Sequence, residues 1–79
     1  MKIGTVTGTV VASVKHQGLH GCKLLVVSLD EGTDLVAVDD LGAGEGSRVI
    51  VATGTHALNI VRPTAPVDAV IVGMVDRRT

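Results

Sequence analysis

The stretch CKLLVVSL, residues 22–29, decides the fold because it predicts a strand that is apolar on both faces. Successive side chains of a strand point to opposite faces. The apolar residues lie on both, with Leu24 and Val26 on one face and Leu25, Val27 and Leu29 on the other. A small antiparallel β protein normally fills one interior and leaves the other face of each strand to water. A second apolar face is therefore expected to be hidden, most simply by a neighbouring subunit.

Turn signals and apolar alternation on either side of this stretch predict four more strands. Residues 2–15 read as one long strand with threonines on the polar face. Gly4 and Gly8 lie on its apolar face and predict a bend or the close approach of another backbone. Further strands are predicted over residues 35–39, 48–53 and 69–75. The last of these is again apolar on both faces.

The segments between the strands are short and polar or glycine-rich. Residues 16–21 are predicted to form a loop, and Thr55 could cap one or two helical turns that end at residue 59 or 60. We therefore predict an all-β fold, a small five-stranded barrel with one short helix, as a single domain over residues 1–79.

Size and composition favour oligomerisation. A chain of 79 residues buries too little surface for a secure core, and small proteins usually gain stability from disulfides, metals or association. Cys22 is the only cysteine, so no intrachain disulfide is available and a reducing compartment is expected. The chain begins in a strand pattern without a signal-peptide segment, and no apolar run is long enough to span a bilayer, so we expect a soluble, cytoplasmic protein.

Charge and aromatic content exclude some partners. The chain has no Phe, Tyr or Trp, and its net charge is −1 with acidic and basic residues mixed. A nucleic-acid-binding barrel normally combines a basic groove with aromatic side chains that stack on bases. The composition therefore predicts no nucleic-acid and no membrane partner.

In order and content, these segments resemble the EutN/CcmL family of bacterial microcompartment vertex proteins over nearly the whole chain. The residues that carry the resemblance are Gly8-Thr9-Val10-Val11, Gly21-Cys22-Lys23-Leu24-Leu25, Val36-Ala37-Val38-Asp39, Gly42-Ala43-Gly44, Gly54-Thr55-His56-Ala57, Pro66-Val67-Asp68-Ala69 and Ile71-Val72-Gly73-Met74-Val75-Asp76. Each piece is a weak signal, whereas their conjunction in this order is specific. The sequence departs from many relatives at Ser13, Arg48 and Leu58.

The resemblance implies an OB-like barrel that assembles into a cyclic homopentamer at the five-fold vertices of a polyhedral shell, with hexameric shell proteins as partners. This is a structural function, not an enzymatic one, and no cofactor is expected. Candidates for the five-fold loop or pore are Gly42, Ala43, Gly44, Glu45 and Gly46. Candidates for the subunit interface are Asp68, Val70, Val72 and Met74. A bulky side chain at Gly44 is expected to impair assembly if the backbone there has a positive φ or is closely packed.

Three groups of residues invite a chemical interpretation. The loop at residues 42–46 leads into a strand, whereas a phosphate-binding glycine loop leads into a helix, so a structural loop is favoured. His16, His20 and Cys22 match no common zinc spacing, and exposed loop histidines are the simpler interpretation. The acidic residues between 30 and 40 lack the spacing of a calcium loop and are better explained as turns, with Asp39, Asp68 and Asp76 at strand ends.

Two alternatives from other classes stay open at this point: an OB-type ligand or nucleic-acid binding module, and a small accessory subunit of an enzyme. The sequence does not specify the enclosed enzymes, whether a five-fold pore conducts metabolites, or which face points to the lumen.

Overall fold

A computed structural model describes residues 1–54 and 67–76 of the chain. Its strands are β1 Lys2–Thr9, β2 Leu24–Leu29, β3 Asp34–Asp39, β4 Arg48–Thr53 and β5 Ala69–Met74. One 3₁₀ turn, Gln17–Leu19, lies between β1 and β2. No helix within the described ranges is long and apolar enough to cross a membrane.

The strands close into a barrel in the order β1-β2-β3-β5-β4, which confirms the predicted fold class. Neighbouring strands are antiparallel except β3 and β5, which run parallel. The parallel ladder is short, because its register joins only Val38 to Val70 and Asp39 to Ile71. The barrel is therefore least tightly paired where β3 meets β5.

The first strand is shorter than predicted. It ends at Thr9 instead of continuing to residue 15, and the amide of Val10 makes a last hydrogen bond to the carbonyl of Leu24. Val14, which lies within the predicted strand, is 89% exposed. The alternation continues past Thr9, but the partner strand β2 begins only at Leu24 and leaves nothing for residues 11–15 to pair with.

The two glycines of β1 have different roles. A Cβ at Gly4 would lie 2.5 Å from the backbone oxygen of Ser28, so β2 approaches this strand as closely as the sequence predicted. A Cβ at Gly8 would meet nothing within 4 Å. The β1–β2 register shifts between Val6 and Gly8, which places a bend there.

The barrel interior is a cluster of aliphatic side chains. Its buried members are Val6, Leu25, Val27, Leu29, Ala37, Ala43, Val49, Val51, Ala69 and Ile71. The strand members come mostly from alternate positions, as expected for one face of a sheet. With no aromatic residue available, branched aliphatic side chains from all five strands fill this interior.

A second apolar cluster lies on the opposite face of β2, β3, β4 and β5. Cys22, Val38 and Val70 form its buried centre, and Leu24, Ala52, Val67 and Val72 pack against it half-buried. The outward threonines of β1, in contrast, leave that strand polar outside. The barrel therefore has an apolar outer face over four strands, part of it still exposed, and a mostly polar outer face over β1.

Of the two remaining predictions, the structure modifies one and does not test the other. The loop expected at residues 16–21 contains the 3₁₀ turn. The helix expected after Thr55 lies outside the described residues.

Candidate assembly surface

A groove opens on the outer face of the barrel beside the short β3–β5 ladder. Its volume is ≈190 Å³. It is lined by Leu19, Leu24, Val36, Val38, Val67, Asp68 and Ala69. Val36 is 47% exposed although it sits in the middle of a strand, and Asp68 is the one charged residue of the lining. The groove can therefore take up an apolar segment with a positive charge beside it.

The predicted interface residues differ in exposure, and only Asp68 among them lines this groove. Val70 is only 2% exposed, so its side chain is already covered by its own chain. Val72 is half-buried in the outer cluster, and Met74 at the end of β5 is 53% exposed. Asp68 is exposed at the rim. Of the four, Val72, Met74 and Asp68 leave surface for a neighbour.

The glycine loop is fixed from within by a buried carboxylate. Asp39 is 3% exposed, and its Oδ1 accepts a hydrogen bond from the amide of Leu41 at 2.9 Å. Its Oδ2 accepts from the amide of Ala43 at 2.7 Å and lies 3.3 Å from Lys23 Nζ. Lys23 Nζ also donates to the carbonyl of Ala43 at 2.6 Å. Asp39 therefore fixes the turn after β3, one of the roles that sequence reasoning gave it.

The five candidate loop residues are not equivalent. Ala43 is 1% exposed and packs in the barrel interior, so it is an anchor of the loop. Gly42 and Gly46 have φ values of 85° and 88°, in the region that favours glycine. Gly44 has neither a positive φ nor an atom within 4 Å of a Cβ built on it, so neither condition for a costly substitution holds there. Glu45 is exposed at the tip.

The residues with possible metal chemistry do not converge. His16 Nδ1 accepts a hydrogen bond from the amide of Gly18 at 2.8 Å and caps the 3₁₀ turn. Cys22 is buried in the outer cluster, and His20 is exposed. Residues 1–54 and 67–76 contain no group of three or more His, Cys, Asp or Glu that could hold a metal ion.

The acidic hairpin between β2 and β3 is held by ion pairs. Arg48 makes a forked contact with both carboxylate oxygens of Asp30, each at 2.7 Å. This hydrogen bonding, together with the guanidinium charge, holds the pKa of Asp30 below its ordinary value of 3.8, against a smaller opposing effect of desolvation. Glu31 pairs with Lys2. These contacts tie the hairpin to β1 and β4.

Two parts of the surface escaped sequence reasoning. Val36 was identified only as part of a family-like strand. It lies before the short β3–β5 ladder, which begins at Val38 and which no local pattern encodes. Val11 and Val14 were placed in a strand, whereas they are 91% and 89% exposed. No local signal marked them, because residues 11–15 lack a partner only through the late start of β2 at Leu24.

The chain matches known proteins along nearly its whole length. The family described as "Ethanolamine utilisation protein EutN/carboxysome" matches residues 1–76. The "Bacterial microcompartment shell vertex protein EutN" of Salmonella typhimurium is 40% identical, and the alignment covers 96% of this chain and 84% of that protein.

Solved structures with the same fold include two shell proteins. The GrpN pentameric microcompartment shell protein from Rhodospirillum rubrum has a TM-score of 0.87 and 40% identity, with 100% of this chain and 98% of that chain covered. CcmL of Gloeobacter violaceus has a TM-score of 0.89 and 36% identity, with 100% and 89% covered.

Proposed function

The chain belongs to the EutN/CcmL family, and from that premise we propose that it is a structural subunit that forms a homopentamer at the five-fold vertices of a bacterial microcompartment shell. Relatives at about 40% identity are named shell vertex proteins, and the structure of GrpN is that of a pentameric shell protein. At this identity and coverage the chain shares their role.

The observation that carries this function is the outer apolar cluster. It extends over four strands of a barrel that has already filled its interior, and its half-buried members still expose apolar atoms. Contact with another copy would remove that surface from water at a gain of about 25 cal/mol per Å². A ring needs two different, complementary surfaces on each subunit, and the apolar outer face extends over four strands.

We further propose that the pentamer packs beside hexameric shell proteins. Hexagonal tiles alone cover a flat sheet, so a closed polyhedral shell needs units of lower symmetry at its corners. A head-to-tail contact that closes after five copies supplies such a unit.

A role without catalysis is supported by how the titratable groups are used. Asp39, the buried carboxylate of the described residues, is occupied by two loop amides and Lys23. Asp30 is engaged with Arg48, and His16 caps a turn. A general acid or base needs a group that is free to exchange a proton with a substrate. The described groups instead hold the fold together.

Native mass spectrometry of the purified protein over a range of concentrations tests the homopentamer. We expect a dominant species of five subunits. A stable monomer or dimer at high concentration would refute the proposal. Co-assembly with hexameric shell proteins, followed by electron microscopy, tests the vertex role. Closed particles are expected when the chain is present, and open sheets or tubes when it is omitted.

A further inference from the structure

Residues 10–16, which we call the arm, present two valines to solvent. Val11 is 91% exposed and Val14 is 89% exposed. The arm is held at both ends, because the amide of Val10 donates to Leu24 at its start and His16 caps the 3₁₀ turn at its end. Single exposed valines are ordinary on protein surfaces. Two exposed valines on one short segment that is fixed at both ends form an apolar surface that a partner can contact.

The same chain has an apolar groove that its own arm leaves open. The groove volume of ≈190 Å³ is more than ten times the roughly 15 Å³ that one water needs, so it accommodates side chains. Val36 is fractionally the most exposed of its apolar lining residues. Arm and groove are thus two exposed apolar surfaces within the described part of one subunit.

We propose that the arm of one subunit docks into the groove of the neighbouring copy, an inference that rests on the homopentamer proposed above. Val11 and Val14 would pack against Leu24 and Val36. The groove would then bind a second copy of this chain, and these four residues would form the subunit contact.

Charge supports this pairing. Lys15 follows Val14 directly and is exposed, and Asp68 is the one charged residue that lines the groove. Neither side chain forms an ion pair with another residue in the described part of the chain. An arm seated with its valines in the groove brings Lys15 towards Asp68. If the arm lay in the groove in the reverse direction, Lys15 and Asp68 would both stay without a partner.

The geometry of a ring also supports the contact between arm and groove. A ring needs two different surfaces on each subunit, so that every copy gives one and receives the other. Seven residues reach at most about 23 Å when extended, so a segment anchored at both ends projects about half that far. This reach matches the ~10 Å that separates packed sheets.

Disulfide trapping tests the contact. In a Cys22→Ala background, Val14→Cys and Val36→Cys are introduced together, the protein is shown by native mass spectrometry to be a pentamer, and it is oxidised. We expect a ladder on non-reducing gels that extends to five linked chains. The control pairs Val14→Cys with Thr7→Cys on the polar outer face of β1, where no ladder is expected.

The outcomes separate the two proposals. A pentamer without a ladder, or with equal ladders for both pairs, would overturn the arm-to-groove contact and leave the vertex function standing. A parent protein that is not a pentamer would overturn both.

A charge swap gives a second measurement that needs no cysteine. Lys15→Asp and Asp68→Lys should each raise the concentration at which the pentamer dissociates, by about two- to fivefold for each contact. The double swap should restore the parent value. Unchanged dissociation in the single variants, or additive weakening in the double variant, would count against the contact.

Discussion

Asp39 shows how one residue can set the position of a whole loop. Its carboxylate is buried at the end of β3 and receives two backbone amides of the following loop at 2.9 and 2.7 Å. Lys23 then bridges that carboxylate and the carbonyl of Ala43. Buried polar groups of this kind stabilise a structure only when all of them are satisfied, so their removal is costly.

Asp39→Ala should lower the free energy of unfolding by about 2–3 kcal/mol, because the amides of Leu41 and Ala43 lose the buried carboxylate that accepts their hydrogen bonds. Urea unfolding at a fixed protein concentration measures the change. Asp40→Ala is the matched control, because Asp40 is the next residue in the chain and is exposed. Its replacement should change the free energy of unfolding by less than about 0.5 kcal/mol. Equal effects of the two variants would show that the loop does not depend on Asp39.

The fork between Arg48 and Asp30 gives a pH-dependent contribution. Because Arg48 lowers the pKa of Asp30 in the folded protein, the pair stabilises the fold at pH values above the ordinary 3.8. That contribution is lost as the pH falls through the lowered pKa. A titration of the carboxyl groups followed by NMR should find the pKa of Asp30 below 3.8. Arg48→Gln should return this pKa towards 3.8.

The neighbouring ion pair supplies the control for this titration. Lys2→Gln removes the contact to Glu31 on the same hairpin and leaves Arg48 in place. The pKa of Asp30 should then stay lowered. If Lys2→Gln raised it as much as Arg48→Gln, general charge on the hairpin would be responsible and not the fork.

At the scale of elements, the two glycines of β1 predict opposite outcomes. Gly4→Ala places a methyl group 2.5 Å from the backbone oxygen of Ser28, so β1 and β2 must separate, at a cost of about 1–3 kcal/mol or more. Gly8→Ala has open space and should be neutral or stabilising by up to about 1 kcal/mol. Thermal unfolding of the two variants compares them directly, and similar melting temperatures would contradict the close approach.

The loop between β3 and β4 permits a similar comparison. Gly42→Ala and Gly46→Ala force a residue with a Cβ into positive φ, which costs roughly 1–2 kcal/mol. Gly44→Ala should cost less, since neither its φ nor its surroundings oppose a Cβ. Chemical denaturation of the three variants ranks them. A Gly44 variant as unstable as the other two would show that the loop is more constrained than its backbone angles indicate.

Several of these elements could be predicted from the sequence. The bounds of β4 were predicted without error, and β2, β3 and β5 to within two residues, because apolar alternation and flanking turns are local signals. The end of β1 was missed because it depends on where the distant β2 begins. The sequence analysis named Gly44 as the position sensitive to substitution, whereas Gly42 and Gly46 have the positive φ values. A sequence shows where a glycine is present but does not show its φ.

The candidate surface was predictable in outline only. Two-sided apolar strands predicted that an outer face would be covered, and the outer cluster around Val38 and Val70 agrees with this. Which residues remain exposed depends on how the 3₁₀ turn and the start of β5 cover that face. Val70 is buried by its own chain while Val36 is not, a difference that arises from tertiary packing and has no counterpart in the local sequence.

At the scale of the whole molecule, the barrel has two apolar faces and one small interior. A chain of this length gains only a marginal free energy from one core. Covering the outer cluster in a ring would add the missing stability, so folding and assembly should be thermodynamically coupled. Coupling of this kind makes stability depend on protein concentration.

Urea unfolding at several protein concentrations tests this coupling. When a pentamer unfolds to five separate chains, each tenfold increase in concentration adds four-fifths of about 1.4 kcal/mol to the stability of each chain, or about 1.1 kcal/mol. With a urea dependence of about 1 kcal/mol per M for a protein of this size, the midpoint should rise by about 1 M for each tenfold step.

Val36→Asp separates assembly from folding in this experiment. The charge lies on the exposed outer face, so the interior of the barrel is unchanged, whereas burial against another copy would leave a carboxylate in an apolar groove. The variant should unfold at a lower midpoint that is independent of concentration. A parent midpoint that is equally independent of concentration would mean that the barrel is stable alone and that the outer cluster contributes nothing through association.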